Sequence, residues 1–199
     1  MSPEIAAIQL AAWIQQHYRY AALDAMTHLK LQKLAFYCYG AAMAADQDAV
    51  LPNVTFEAWQ HGPVQRDIWL RHRGSGSAPL AASDQPTVTL PAAAERVLQD
   101  ALDVYGLMRP WSLREQSHLE SVWADARAAG KTTIDSADMR GWAKSKFAGG
   151  RVEWPEYLAG LSSMRLDGVP VSTHRSLHEM AETVRHWDME RRGNAPAPV

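Results

Sequence analysis

The chain has 199 residues, a formal net charge of −2 and a single cysteine, Cys38. This length suits one domain that can bury a core, and one cysteine excludes both an internal disulfide and a cysteine-rich metal site within the chain. The near-neutral charge gives no general attraction to nucleic acid or anionic lipid, and no run of about 18 apolar residues predicts a membrane span. We therefore expect a soluble, cytoplasmic protein.

Two helices are predicted in the first quarter of the chain. Residues 2–18 begin with a Ser-Pro-Glu sequence that is typical of a helix N-terminus. Residues 27–45 carry apolar side chains around most of the helical circumference, which predicts a helix at the centre of the domain. Its polar exception is Lys30, Lys33 and Tyr37, which share one narrow face. We expect that face to look out to solvent or to a partner.

A short β element is predicted next. Residues 54–58 alternate between apolar and polar side chains, as in a strand with one buried face. Trp59 follows on the polar face, where it must be covered or used for binding. We expect Pro63 to occupy the first turn of a helix. The composition of residues 74–85 predicts a flexible surface loop, and residues 87–90 are predicted to form a second strand.

The remainder of the chain has helical patterns. Capping signals and apolar spacing predict helices over 91–106, 112–130, 135–147 and 155–166, and a long amphipathic helix from Ser172. The expected class is mainly α, a compact helical domain with a central apolar helix and a small two- or three-stranded β element. We expect a main domain over 1–148, a helical extension packed on it over 149–192, and a disordered tail over 193–199.

The motifs do not form a convincing catalytic constellation. The sequence lacks GxSxG, Walker-type and GxGxxG patterns, and Cys38 falls on the apolar stripe of the central helix rather than in a cationic setting. His174 and His178 have the spacing of a zinc pair, but no third ligand accompanies them, and we interpret them as surface residues. His118 lies between two acidic residues and is interpreted as a local hydrogen-bonding group. We expect no metal and no other cofactor.

Two alternative functions stay open from the residues alone. A histidine-dependent hydrolase would bring His61 and His118 together in one pocket. A DNA-binding autoregulator would instead need a basic face and a strong dependence on salt. The candidates for such a face are Arg66, Arg71, Arg73 and Lys30.

Three blocks of the sequence together indicate a family. They are MTHLKLQKLAFYCYGAAMA (26–44), FEAWQHGPV (56–64) and SHLESVWADARAAGKTTI (117–134). In this order they resemble the SocA/GepA-like antitoxins, which contain the Panacea domain. The third block departs from the family pattern at Ser117, where the family has threonine, and at Val122, where it has proline. The resemblance covers roughly residues 5 to 148.

The resemblance implies an antitoxin that binds a cognate protein toxin directly, and not an enzyme. In the SocA branch of the family it further implies a proteolytic adaptor that presents a SocB-like toxin to the ClpX unfoldase of the ClpXP protease. Neutralisation by binding alone stays open, and the extension from residue 149 is a candidate second surface. The candidate partner-binding residues are Lys30, Lys33, Tyr37, Trp59, His61, Arg66, Trp69, Arg71 and His118.

Overall fold

A computed structural model describes residues 3–21, 24–86, 88–148, 165–166 and 169–170. The chain divides into two units, Met1–Val152 and Glu153–Val199. The described residues of the first unit contain seven α-helices: α1 (Pro3–His17), α2 (His28–Ala44), α3 (Arg66–His72), α4 (Ala92–Tyr105), α5 (Pro110–His118), α6 (Ser121–Ala128) and α7 (Ser136–Lys146). They also contain three strands: β1 (Phe56–Trp59), β2 (Gly62–Val64) and β3 (Thr133–Ile134). The fold is therefore mainly α with a small β element, as predicted.

The central position of α2 is confirmed. Every residue from Leu31 to Met43 is buried, and α2 packs against α1, α4, α5 and α7. The rings of Phe36 and Trp142 stack with centroids 4.6 Å apart. Fully burying a side chain such as Phe36 contributes about 1.5–3 kcal/mol, so the apolar circumference of α2 supplies much of the driving force for folding.

The three strands form an antiparallel sheet in the order β2-β1-β3. Trp59 pairs with Gly62, so that two residues form the turn of a β1–β2 hairpin. The helix expected to begin at Pro63 is a wrong prediction, because Pro63 lies in β2. An edge strand tolerates proline, which lacks an N–H group for the ladder. The helix begins instead at Arg66, where the side chain of Gln65 accepts a hydrogen bond from the Ile68 N–H group at 2.8 Å.

The second strand expected over 87–90 is also wrong, since residues 88–90 are irregular. Side chains bind the main chain of this region instead. Gln16 donates to the carbonyls of Gln85 and Pro86, at 3.2 Å each, and accepts from the N–H of Val88 at 3.1 Å. The neighbouring Leu80 N–H donates to the carbonyl of Met26 at 2.8 Å. These contacts connect the loop to α1 and to the segment that precedes α2.

The single helix predicted over 112–130 is two helices, α5 and α6, separated at Leu119 and Glu120. Glu120 has extended backbone angles, and its carboxylate is buried between α2, α5 and α7. It accepts hydrogen bonds from Tyr37 at 3.1 Å and from Trp142 at 3.0 Å, and Lys146 lies 3.0 Å away. The break between α5 and α6 therefore lies at the residue whose buried carboxylate accepts these hydrogen bonds.

In the second unit, β4 (Arg165–Leu166) pairs with β5 (Val169–Pro170) in antiparallel fashion. The helix predicted over 155–166 is therefore wrong at its C-terminal end. The amphipathic helix predicted from Ser172, the histidine pair at His174 and His178, and the tail at 193–199 lie outside the described residues.

Candidate protein-binding site

The polar face of α2 is not open to solvent, which corrects the prediction for Lys30, Lys33 and Tyr37. All three are 0% exposed. Each polar group has a partner of its own: Lys30 Nζ binds Asp24 at 3.0 Å, Lys33 Nζ donates to the carbonyl of Pro63 at 2.9 Å, and Tyr37 binds Glu120. Because buried polar groups are stable when they are hydrogen-bonded, these side chains stabilise the fold from inside.

Two neighbouring residues of α2 hold the β1–β2 hairpin. The Gln32 side chain accepts from the N–H of Gln65 at 2.8 Å and donates to its carbonyl at 3.1 Å. Lys33 binds the adjacent carbonyl of Pro63. Burial, followed by the positive charge of Arg114, lowers the pKa of Lys33 to about 7. Gln32 and Lys33 of the first block therefore hold in place the hairpin that the second block forms.

Gly62 is required at this support by space and by conformation. A Cβ atom at Gly62 would lie 2.5 Å from Ser117 Oγ and 2.7 Å from Lys33 Nζ, and the residue has a φ of +94°. The Ser117 hydroxyl donates to the carbonyl of Arg114 at 2.8 Å. Glycine at this position therefore lets the hairpin lie this close to Lys33 of α2 and Ser117 of α5 without strain.

The third block also binds the hairpin. Trp123 Nε1 donates to the carbonyl of Trp59 at 3.0 Å, and Arg127 donates to the carbonyl of Ala58 at 3.3 Å. Both donors lie on α6. Their hydrogen bonds add to the main-chain pairing of β1 with β3, which has only two residue pairs. All three motif blocks therefore meet at the hairpin.

Two pairs of rings lie at this meeting point and are linked by the hydrogen bond from Trp123 to the carbonyl of Trp59. We call Trp69, Trp59, Trp123 and His118 the aromatic row. The centroids of Trp59 and Trp69 lie 5.2 Å apart in an edge arrangement. His118 stacks on Trp123 with a centroid distance of 4.3 Å and an interplanar angle of 11°. Each of the four is partly exposed. The row presents large amphipathic rings to solvent along α3, the hairpin, α6 and the end of α5.

Arginines and one carboxylate border the aromatic row. Glu57 accepts from Trp59 Nε1 at 2.6 Å and lies 3.5 Å from the exposed Arg66. The guanidinium of Arg73 lies over the ring of Trp69, 5.4 Å from its centroid, in a cation–π contact. Leu119, the residue directly after His118, is 78% exposed.

His118 carries a lowered pKa, caused first by burial and then by the positive charges of Arg114 and Lys33, with a smaller effect of His61. This shift favours the neutral imidazole. Its Nε2 atom is buried without a hydrogen-bond partner among the described residues. The ring contributes to the row mainly as a flat surface.

A groove of about 370 Å³ lies beside the aromatic row. It is lined by residues 57–60 of the hairpin and by Arg127 and residues 130–132, which follow α6. Lys131 in this lining binds Asp135 at 2.5 Å and Asp138 at 3.3 Å. The groove thus combines an aromatic wall from Trp59 with the guanidinium of Arg127.

The structure brings together five of the nine residues that sequence reasoning selected: Trp59, Trp69 and His118 lie in the row, Arg66 borders it, and His61 is exposed in the hairpin turn and electrostatically coupled to His118. Arg71 is not among them, because it binds Asp84 at 2.5 Å in the loop after α3. Sequence reasoning missed Trp123, Arg127 and Glu57 as site residues. The signal was present, since all three belong to the motif blocks.

Several observations bear on the two alternative functions. The charge of His61 acts on His118, which is the pairing that the hydrolase alternative requires. The Ser117 hydroxyl is directed to a carbonyl and not to a histidine, and burial strongly raises the pKa of Cys38. The described residues contain no group of three or more His, Cys, Asp or Glu side chains that could hold a metal ion. Of the arginines considered for a DNA-binding face, Arg66 and Arg71 lie against carboxylates.

Comparisons of the chain with protein-family models, with curated proteins and with solved structures find no match. The resemblance to the antitoxin family therefore depends on the three motif blocks. Among the described residues, no helix is both long and apolar enough to cross a membrane.

Proposed function

We propose that this chain is the antitoxin of a toxin–antitoxin pair and that it binds its cognate protein toxin, a SocB-like protein, through the aromatic row. The observation that supports this function is the row itself. Tryptophan and arginine are the residues that most often dominate the energy of protein interfaces. Here two ring pairs, Trp59 with Trp69 and His118 with Trp123, are joined by the hydrogen bond from Trp123 to the carbonyl of Trp59, and Arg66 and Arg73 border them.

The motif blocks support the same proposal. The family resemblance implies direct toxin binding, and two of the three blocks that carry it contribute to one surface: Trp59 comes from the second block, and His118 and Trp123 come from the third. Trp69 on α3 extends the surface beyond the blocks. A binding protein without catalytic machinery needs such a surface and no reacting groups.

We further propose that the chain is a cytoplasmic proteolytic adaptor that promotes degradation of the bound toxin by ClpXP. An adaptor that tethers its substrate to ClpX raises the local concentration of a weak degradation signal without any new chemical step. Residues 149–192 are our candidate for the second surface, the one that engages the unfoldase. Neutralisation by binding alone is the simpler alternative within the same proposal.

Co-expression with the product of the neighbouring reading frame tests the toxin partner. We expect the tagged chain to capture that product, and Trp69→Ala to weaken the complex by about tenfold or more, since the ring is an exposed anchor. Trp111→Ala is the matched control, because Trp111 is 66% exposed and lies on α5 outside the aromatic row. Equal losses for the two variants would separate toxin binding from the row.

Degradation assays with purified ClpXP then test the adaptor step. We expect the captured toxin to be degraded faster when the chain is present, and the chain itself to survive several rounds. A stable complex without accelerated degradation would leave neutralisation by binding and remove the adaptor role. Absence of any complex would overturn the antitoxin proposal.

A further inference from the structure

Arg127 makes fewer contacts than the other cation that lines the groove beside the aromatic row, Lys131. It donates to the carbonyl of Ala58 at 3.3 Å, and no carboxylate of the described residues forms an ion pair with it. A guanidinium has five N–H donors in a planar fork that matches a carboxylate. Arg127 therefore retains most of its binding capacity on the groove side.

The other charges of the groove already have partners. Glu57 is bound by Trp59 Nε1 and lies near Arg66. Lys131 is held by Asp135 and Asp138. The three cations in or beside the groove, Arg127, Arg66 and Lys131, are thus balanced by three carboxylates, and Arg127 is the one of the three cations that has no ion pair with a described residue.

We propose that this groove binds one acidic side chain, a glutamate or aspartate, of the partner protein. The inference rests on the proposed function and specifies the chemistry of the toxin segment that docks there. The carboxylate accepts hydrogen bonds from Arg127, and the aliphatic part of the side chain lies against Trp59. A volume of about 370 Å³ accommodates a side chain together with its backbone.

Other occupants are less well matched to the groove. A cationic side chain would meet the unpaired charge of Arg127, and a purely apolar one would cover the guanidinium without pairing it, which is costly. A phosphate group would place about two negative charges near the carboxylate of Glu57, which lines the same groove. A single carboxylate satisfies Arg127 with the least repulsion.

A titration of the isolated chain tests the groove without the toxin. The probes are the acetylated, amidated dipeptides Glu-Glu and Gln-Gln and inorganic phosphate, followed by NMR at the Arg127 Nε–H and the Trp59 indole. We expect saturable shifts with Glu-Glu, and at least about fivefold weaker binding of Gln-Gln and phosphate. Equal responses to the two dipeptides, stronger binding of phosphate, or no shift at these two groups would overturn the proposal.

Variants assign the response to Arg127. Arg127→Gln should abolish the shifts, Arg127→Lys should keep part of them because the charge is retained, and Arg96→Gln on the exposed part of α4 should leave them unchanged. Arg127→Lys also covers the case in which Arg127→Gln loses the contact to Ala58 and unfolds. Full retention of the shifts in Arg127→Gln would exclude Arg127 as the binding group.

A charge exchange in the complex tests the same contact with the toxin. Arg127→Glu should weaken capture of the neighbouring gene product at least tenfold, and replacement of one acidic toxin residue by arginine should restore it. Failure of every such reversal would overturn the acidic contact while leaving toxin binding in place. If the unaltered chain captures no toxin, the proposed function fails, and the dipeptide titration alone decides the chemistry of the groove.

Discussion

Polar groups are used differently on the two sides of the β1–β2 hairpin. On the inner side, which faces α2, Gln32, Lys33 and Ser117 are buried and each has a hydrogen-bond partner. On the outer side the aromatic row is partly exposed, and Arg127 binds only a backbone carbonyl among the described residues. Residues of the same motif blocks therefore stabilise the fold on one side and leave binding capacity on the other.

This difference changes how the first block is understood. Its lysines are the most conspicuous polar residues on an apolar helix, yet both are buried: Lys30 binds Asp24, and Lys33 binds the inner side of the hairpin. The residues that remain available to a partner come from the hairpin, α3, α5 and α6. A charged residue in a family motif is thus evidence of a specific contact, and the structure decides whether the contact is internal.

The largest effect is expected from removing the buried carboxylate of Glu120, which lies between α2, α5 and α7. Glu120→Ala removes the acceptor of Tyr37 and Trp142 and the counter-charge of Lys146. Leaving buried donors without a partner should lower the free energy of unfolding by about 3–5 kcal/mol, measured by urea denaturation. The control Glu115→Ala removes an exposed carboxylate and should cost about 0.5 kcal/mol or less. Equal midpoints for the two variants would contradict the assigned role.

The next largest effect is expected at Gly62. Gly62→Ala would force a Cβ against Ser117 Oγ and Lys33 Nζ at a positive φ, which should cost about 2–3 kcal/mol. Gly141→Ala on α7 is the matched control, since a Cβ there meets nothing within 4 Å. Alanine is favoured over glycine within a helix, so the control should gain about 0.5–1 kcal/mol. Thermal unfolding should therefore shift in opposite directions for the two variants.

The sequence predicted those parts of the fold that residues close together in the chain determine. The apolar circumference of α2, the alternation of β1 and the start of α7 after Asp135 are features that neighbouring residues determine. The central position of α2 follows from the first of these features, because a helix with apolar side chains around its circumference must be enclosed by other elements. The mainly α class could accordingly be predicted.

The features that were missed depend on partners far away in sequence. The burial of Lys33 needs the carbonyl of Pro63, thirty residues later, and periodicity treats every lysine as a surface residue. The break at Glu120 needs donors from α2 and α7. Gly-Pro was misinterpreted because the φ angle of proline suits the first turn of a helix and an edge strand equally well.

A smaller effect on the inner side is expected from acidification. Burial, followed by the charges of His72 and Lys33, lowers the pKa of His28 from 6.5 to about 4, and His28 contacts Gln32 at 3.3 Å. The folded protein then binds fewer protons than the unfolded chain between these pH values. Its free energy of unfolding should have its full value above pH 6.5. It should decrease by about 1–2 kcal/mol as the pH falls to about 4, after allowance for solvent screening.

Denaturation of His28→Gln at several pH values checks this dependence. Glutamine keeps a polar group near Gln32 but has no proton to bind in this range. The variant should lose most of the slope attributed to His28 between pH 6.5 and 4. An unchanged slope would assign the acid sensitivity to other groups, of which His72 also has a lowered pKa.

The smallest effect on stability is expected on the outer side, at Leu119. This side chain is 78% exposed beside His118, so Leu119→Ser should change the free energy of unfolding by no more than about 0.5 kcal/mol. Toxin capture should nevertheless weaken several-fold, because an exposed apolar residue beside the aromatic row gains burial only in the complex. A variant that loses stability but keeps full binding would place Leu119 with the inner side. The opposite pattern would separate a residue that acts on binding from its buried neighbour, since Glu120→Ala acts on folding and Leu119→Ser acts on binding.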